Sequence, residues 1–467
     1  MAQSAGPPPA HPDTDGAIAQ GAFPPGFVWG AATAAYQIEG AVAEGGRGPS
    51  IWDTFAATPG KVYRGDTGAI ACDHYHRWKD DLDLLAWLGL DAYRLSLSWA
   101  RLQPMGRGPL NPTGVDFYRQ LLEGLRKRGI RPFVTLYHWD LPQVLENEGG
   151  WPVRDTASRF GDYVGLVSDA LGDLVQDWTT LNEPWVASFM GYGNGEHAPG
   201  RANIGDAIRA AHHLNLGHGL AAQALRSSSR PVRISVTLLL TDVEAASDRD
   251  EDVAAARRLD GAGNRLFLDP LLRGEYPADM LEHYAPTSGF DVVRDGDLPT
   301  IQAPLDSLGV NHYHHSVVAA DPGDPQLGIR LLPMQGPTTS YGWGFTPESL
   351  RRVLVRVSDE YTKLPLYVTE SGASLHDYLD PDGRVNDVER IDYLSRYFSA
   401  AAQAISEGVD LRGYFVWSLF DNFEWQHGYS MRFGLFYVEF GSQRRIPKAS
   451  AHWYRQFITA AARPTRA

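Results

Sequence analysis

Two glutamates in this 467-residue chain each end an apolar, β-branched run. Leu366, Tyr367, Val368 and Thr369 lead into Glu370, and Ser371-Gly372 then turns the chain away. Trp178, Thr179, Thr180, Leu181 and Asn182 lead into Glu183, which Pro184 follows. Runs of this composition read as buried strands. A carboxylate where a buried strand meets a loop is held rigidly and can face a cleft, and in a parallel α/β barrel chemistry sits at that rim. An ordinary surface glutamate can also follow a strand, so the surrounding elements decide. Two carboxylates flanking a substrate suit cleavage of a glycosidic bond. One protonates the leaving oxygen while the other attacks the anomeric carbon or activates water.

The elements that must hold such a pair alternate along the whole chain. Strand-like runs fall at 27–34, 92–99, 131–137, 177–183, 232–239, 305–313, 364–370 and 413–420. Most are continuous apolar runs, as expected of parallel strands covered on both faces. Between them, Tyr75, Trp78, Leu82, Leu85 and Leu88 keep a three/four spacing before Gly89. Thr113 and Asp116 read as a capping pair ahead of Tyr118, Leu121, Leu122 and Leu125, and Phe160, Tyr163, Val164, Val167 and Leu171 form a third stripe. Eight strands with intervening helices predict a single (β/α)8 TIM barrel over 23–460, preceded by a disordered leader, 1–22, and followed by a tail, 461–467. A doubly wound sheet split into two domains is the structural alternative, without a linker to support it. The long segments 38–71 and 314–346 follow strands and are expected to build a deep pocket on the catalytic face.

Composition removes other classes. The formal net charge is −14 and no basic run grips phosphates, so nucleic acid is not an expected partner. No apolar run approaches membrane-spanning length. The N-terminus lacks the basic and apolar regions of a signal peptide, and Cys72 is the single cysteine, so the expectation is a cytoplasmic protein without a disulfide. A homo-oligomer is compatible with this composition, with nothing in it that specifies one. Thirteen tryptophans and 21 tyrosines offer flat faces with polar edges, suited to sugars as well as to the core.

The ordered motifs FVWGAATAAYQIEGA (27–41), YRLSLSW (93–99), LYHWDLP (136–142), TLNEP (180–184), LYVTESG (366–372) and WSLFDNFEW (417–425), with RFGL (432–435) and RRIPKAS (444–450), resemble family 1 of the glycoside hydrolases, home to many β-glucosidases. The resemblance spans about residues 23–460. It implies that Glu370 is the nucleophile and Glu183 the acid/base, with Asn182 on the sugar 2-hydroxyl and Arg94 and Tyr313 against the nucleophile. It further implies that Gln37, His138, Glu424 and Trp425 bind the remaining hydroxyls, that Trp417 is the floor under the sugar, and that Trp343 is a platform for the leaving group. Trp139, Asn311 and Phe433 complete the expected substrate-binding set. The implied activity is a retaining, exo-acting β-glucosidase acting on a small-molecule β-glycoside. The alternatives are a transglycosylating enzyme of mixed gluco, galacto and fuco specificity and, more remotely, a non-catalytic sugar-binding barrel.

The chemistry supports the same division. An acid must keep its proton near neutral pH while a nucleophile stays ionised. Arg94 and Tyr313 would favour the charged form of Glu370, whose charge would in turn hold the proton on Glu183. The expected carboxyl spacing is about 5–5.5 Å, the retaining geometry. Arg94 inside an apolar strand needs a buried anionic partner, for which Glu370 is the candidate. Trp417 and Trp425 could be core aromatics and His138 a core histidine, but their polar neighbours at strand ends favour a cleft.

His312, His314 and His315 invite a metal reading, with His312 and His314 on one strand face. No cysteine or acid accompanies them in the sequence, so no metal is expected. His74 and His76 read as structural. Neither a P-loop nor a GxGxxG fingerprint is present, so no cofactor is implied. The chain departs from the family pattern at Ser371, His314, His315, Ser349 and Glu439, which bears on the leaving group. Glu424, as a carboxylate, argues against a phosphorylated sugar.

Overall fold

The runs that end on Glu183 and Glu370 are strands of one closed sheet. A computed structural model describes residues 21–461; all but the last two residues of the expected leader, and the expected tail beyond Ala461, lie outside the described residues. The barrel strands are β1 (Val28–Ala32), β2 (Ala92–Ser96), β3 (Arg131–Thr135), β4 (Asp177–Asn182), β5 (Arg233–Leu239), β6 (Ser307–Asn311), β7 (Leu366–Ser371) and β8 (Leu411–Trp417). They pair in parallel and in chain order, and β8 closes on β1. This is the single barrel expected, and the split doubly wound sheet is not formed.

Several strands stop short of their expected C-terminal ends because the rim residues leave the ladder. Glu183 takes φ +46° just past β4, and Trp99 starts the short helix Trp99–Leu102 instead of ending β2. The β4–β5 register shifts between Thr179 and Asn182, and the β6–β7 register shifts between Val368 and Glu370. Such irregularities re-aim side chains, and here they fall immediately before the two glutamates.

The crossovers supply the outer helices: α1 (His74–Leu88), α2 (Pro112–Lys127), α3 (Arg154–Leu171), α4 (Ile204–Arg226), α5 (Leu266–Leu272), α6 (Pro347–Arg356) and α7 (Val388–Ser406), with α8 (Ala449–Ala461) after β8. Gly89 ends α1 at φ +76°, the left-handed stop its position predicts. The expected Thr113–Asp116 capping pair is not formed. Asn111 is the N-cap and Pro112 the first helical residue, its fixed φ starting α2 two positions earlier.

Within the barrel, Val28, Ala92, Phe133 and Phe415 form an apolar cluster with Tyr367, Phe133 lying 4.9 Å from Phe415 and 5.5 Å from Tyr367. Polar side chains therefore collect at the C-terminal rim. Segment 38–71 carries the helix Ile51–Ala57, and segment 314–346 carries the strands His315–Ala320 and Ile329–Leu331, which join Asp242–Ala245 in a separate three-stranded sheet. Among the described residues, no helix is long and apolar enough to cross a membrane.

Candidate active site

Arg94 sits on β2 with 1% of its surface exposed, among apolar neighbours. Its Nη1 donates to Glu370 Oε1, and its Nη2 donates to Asn182 Oδ1 at 2.6 Å. Tyr313 Oη donates to the other oxygen, Glu370 Oε2, at 2.8 Å. Both oxygens of Glu370 are thus fixed by side chains from two other strands or strand ends. Gly372 lets the chain leave at this point, since a Cβ there would lie 1.8 Å from the Trp417 carbonyl oxygen.

Glu183 is held through a different partner. Asn311 Nδ2 donates to Glu183 Oε1 at 2.6 Å and lies 3.1 Å from Asn182 Oδ1. Thr369 Oγ1 donates to Asn311 Oδ1 at 2.8 Å, so the residue beside Glu370 orients the amide that holds Glu183. Burial raises the Glu183 carboxyl well above the ordinary range, and the nearby charge of Glu370 raises it further; Asn311 and Arg94 oppose both. The group thereby keeps a proton at neutral pH.

The residues expected to bind the sugar assemble beside the pair. His138 stacks near Trp417 (6.1 Å, 18°) and near Trp425 (5.9 Å, 19°). Burial, reinforced by the Arg94 charge, holds His138 neutral by lowering its pKa far below the ordinary histidine range. Its Nε2 lies 3.2 Å from Asn182 Nδ2. Gln37 Nε2 donates to Asn422 Oδ1 at 3.0 Å and Phe423 O at 2.9 Å, and reaches Glu424 Oε2 at 3.3 Å. Trp139 donates through Nε1 to Asn182 O at 2.9 Å and lies 4.6 Å from Trp425. Trp139 and Trp425 adopt φ +79° and +51°. Left-handed backbone costs a bulky residue about 1–3 kcal/mol and clusters at functional sites. With Glu183, three site residues carry it.

The carboxyl of Glu424 is pushed up to about 8, by burial first and by the Glu370 charge second. Its neutral form is thereby favoured beyond that of an ordinary glutamate. Gln37 is its side-chain partner, and no cation is bonded to it among the described residues.

The remaining expected residues divide. Phe433 is buried and packs 6.2 Å from both Tyr313 and Trp343. Trp343 is half-buried, flanked by Tyr341 and His314. His312 and His314 do not share a strand face, because β6 ends at Asn311. His312 bonds Leu240 O and Ser349 Oγ, His314 stacks on Trp343, and His315 pairs with Asp242 and Glu244. Ser349 therefore supports His312. His74 is buried against Asp81 at 2.8 Å, the structural role expected.

Sequence reasoning missed the shell behind these groups. Tyr36 and Trp52 pack against Trp425, with Tyr36 stacked at 9° and Trp52 at 4.5 Å. The buried His197 lies 5.5 Å from Trp139. Asp421 is bonded by Lys448 at 2.6 Å and by Arg432, anchoring the segment that carries Glu424. Tyr36 lies in FVWGAATAAYQIEGA, Asp421 in WSLFDNFEW and Lys448 in RRIPKAS, where an acid and a base in separate motifs were the available signal.

Comparison with known proteins bears on this arrangement. The sequence profile of Glycosyl hydrolase family 1 matches residues 19–462. A protein of Bifidobacterium breve named bifunctional beta-D-glucosidase/beta-D-fucosidase is 49% identical over 458 residues, covering 93% of this chain and 98% of that protein. The thermostable beta-glucosidase B of Thermobispora bispora is 50% identical over 440 residues, covering 93% and 90%. The solved structure of the family 1 β-glucosidase from Thermotoga maritima superposes with a TM-score of 0.91 at 43% identity, covering 94% of this chain and 98% of that one.

Proposed function

We infer the reaction of this chain, which belongs to glycosyl hydrolase family 1, from two buried glutamates joined through one hydrogen-bond network: it is a retaining, exo-acting β-glucosidase. Glu370 attacks the anomeric carbon of a terminal β-glucoside, and Arg94 and Tyr313 aim its two oxygens. Glu183 delivers its proton to the leaving oxygen. Forming the glycosyl-enzyme removes the Glu370 charge, which is the second cause of the raised Glu183 pKa after burial. Glu183, which has lost its proton to the leaving group, therefore stays ionised and serves as base, taking a proton from the incoming water, so that one pair runs both steps. Asn182, oriented by Arg94, meets the sugar 2-hydroxyl, a contact that strengthens in the transition state. Trp417 and His138 form the floor and side of the sugar pocket, while Gln37, Glu424 and Trp425 take the remaining hydroxyls.

The observation that carries this reading is the Arg94–Glu370–Tyr313 triad with Glu183 held through Asn311. The names of the relatives support glucose as the released sugar, and the Bifidobacterium breve relative's name adds a fucoside worth assaying. The test is hydrolysis of an aryl β-glucoside by wild type and Glu370→Gly. Turnover should vanish in the variant, and added azide should restore cleavage with an azide product of inverted anomeric configuration. A Glu370→Gly variant that keeps most of its activity would sink the assignment.

A further inference from the structure

The rim outside Tyr313 is a pile of rings. His314 lies against Trp343 with centroids 5.5 Å apart and planes 17° apart. Tyr341 lies against the same indole at 4.0 Å and 25°. Tyr313 and Phe433 meet it at steeper angles, 41° and 48°, and His427 meets Tyr341 edge-on at 4.6 Å. Tyr313 touches the nucleophile, so this wall runs from Glu370 outward. His315, the next residue, turns away to Asp242, which leaves His314 as the one histidine of the three set against Trp343. Burial keeps the His314 ring neutral, pushing it down to about 4. It packs here as a flat aromatic ring without a charge to hydrate.

An indole serves a sugar chain by offering an open π face on which a pyranose can lie. Two near-parallel protein rings, His314 and Tyr341, already lie against Trp343. We propose that His314 is a specificity-determining residue on the leaving-group side: stacked on Trp343, it withholds the indole from extended sugar chains and favours short leaving groups. This deepens the β-glucosidase reading and rests on it. Cutting His314 back to a methyl group would free the covered part of the indole for a sugar ring. His314→Phe would keep the stack.

The test compares kcat/KM for β-glucosyl fluoride, which has almost no leaving group to accommodate, with that for cellotetraose, in wild type, His314→Ala and His314→Phe. The cellotetraose-to-fluoride ratio should rise about three- to tenfold in His314→Ala, the scale of one stacked ring contact, and through KM. His314→Phe should keep the wild-type ratio. An unchanged ratio in His314→Ala, including an equal loss on both substrates, overturns the proposal while leaving the β-glucosidase reading intact. A wild type that turns over neither substrate overturns both.

Discussion

Arg94 on β2 bridges Glu370 and Asn182, donating to Glu370 Oε1 through one terminal nitrogen and to Asn182 Oδ1 at 2.6 Å through the other. One planar cation therefore sets the proposed nucleophile and the side chain expected on the sugar 2-hydroxyl in a fixed relation. Lysine presents a point charge and cannot reproduce the fork. Arg94→Lys should lower kcat/KM for an aryl β-glucoside by about 10²-fold or more, in line with losing one preorganised electrostatic contact. The fall should appear in kcat as well as KM. Steady-state kinetics on the folded variant check this, and a change confined to KM would contradict it.

The proton on Glu183 is held by burial first and by the Glu370 charge second. With Glu183 as the proposed acid of the first step, activity should fall on the alkaline side as Glu183 ionises. Replacing Glu370 by glutamine removes the second cause and leaves the first. In Glu370→Gln, titration of Glu183 by 13C NMR should move down toward the ordinary carboxyl range without reaching it. No movement would mean that the two groups are not electrostatically linked.

Asp140, next to Trp139, is buried, and burial pushes it up to about 7 from 3.8 against the opposing Ser98 hydroxyl and Arg47 charge. The unfolded chain loses this proton near 3.8 while the folded chain keeps it to about 7. The folded state binds more protons in that window, so this group makes stability fall as pH rises through it. Asp140→Asn should therefore gain on wild type between pH 4 and 7, by an amount on the order of a few kcal/mol. Denaturant melts across that range decide it. A difference between the two proteins that stays constant with pH would rule the account out.

The barrel was legible because its parallel strands are buried on both faces and read as apolar runs, and because the helices between them keep a three/four spacing. Arg94 was legible for the opposite reason, a charge inside an apolar run that demands a partner, and Glu370 is that partner. What the sequence hid was set by backbone conformation. Trp139, Glu183 and Trp425 turn left-handed, which no local pattern marks, and β6 stops at Asn311, so the alternation expected for His312 and His314 never forms. Proximity between distant segments was equally hidden. The stacking of Tyr341 and His314 on Trp343, and the reach of Lys448 to Asp421, depend on loops whose path the sequence leaves open.

Lys448 is fully buried, and its ammonium bridges Asp421 and Asp377, while Arg432 takes the other oxygen of Asp421 and Arg390 pairs with Asp377. Asp421 also accepts from the Gly434 N–H at 2.9 Å. The segment from Trp417 to Trp425, which carries the proposed sugar floor and Glu424, is thereby tied to the C-terminal strand Arg444–Pro447 and α8. Removing one cation from a buried ion cluster strands its anions, a loss of about 3–5 kcal/mol. Lys448→Met should lower stability by that order and raise KM for an aryl β-glucoside as the segment loosens. The double variant Lys448→Met/Asp421→Asn should recover part of the stability, because the stranded charge is gone. Urea melts of the single and double variants check this, and a single variant as stable as wild type would show that the cluster does not hold the site in place.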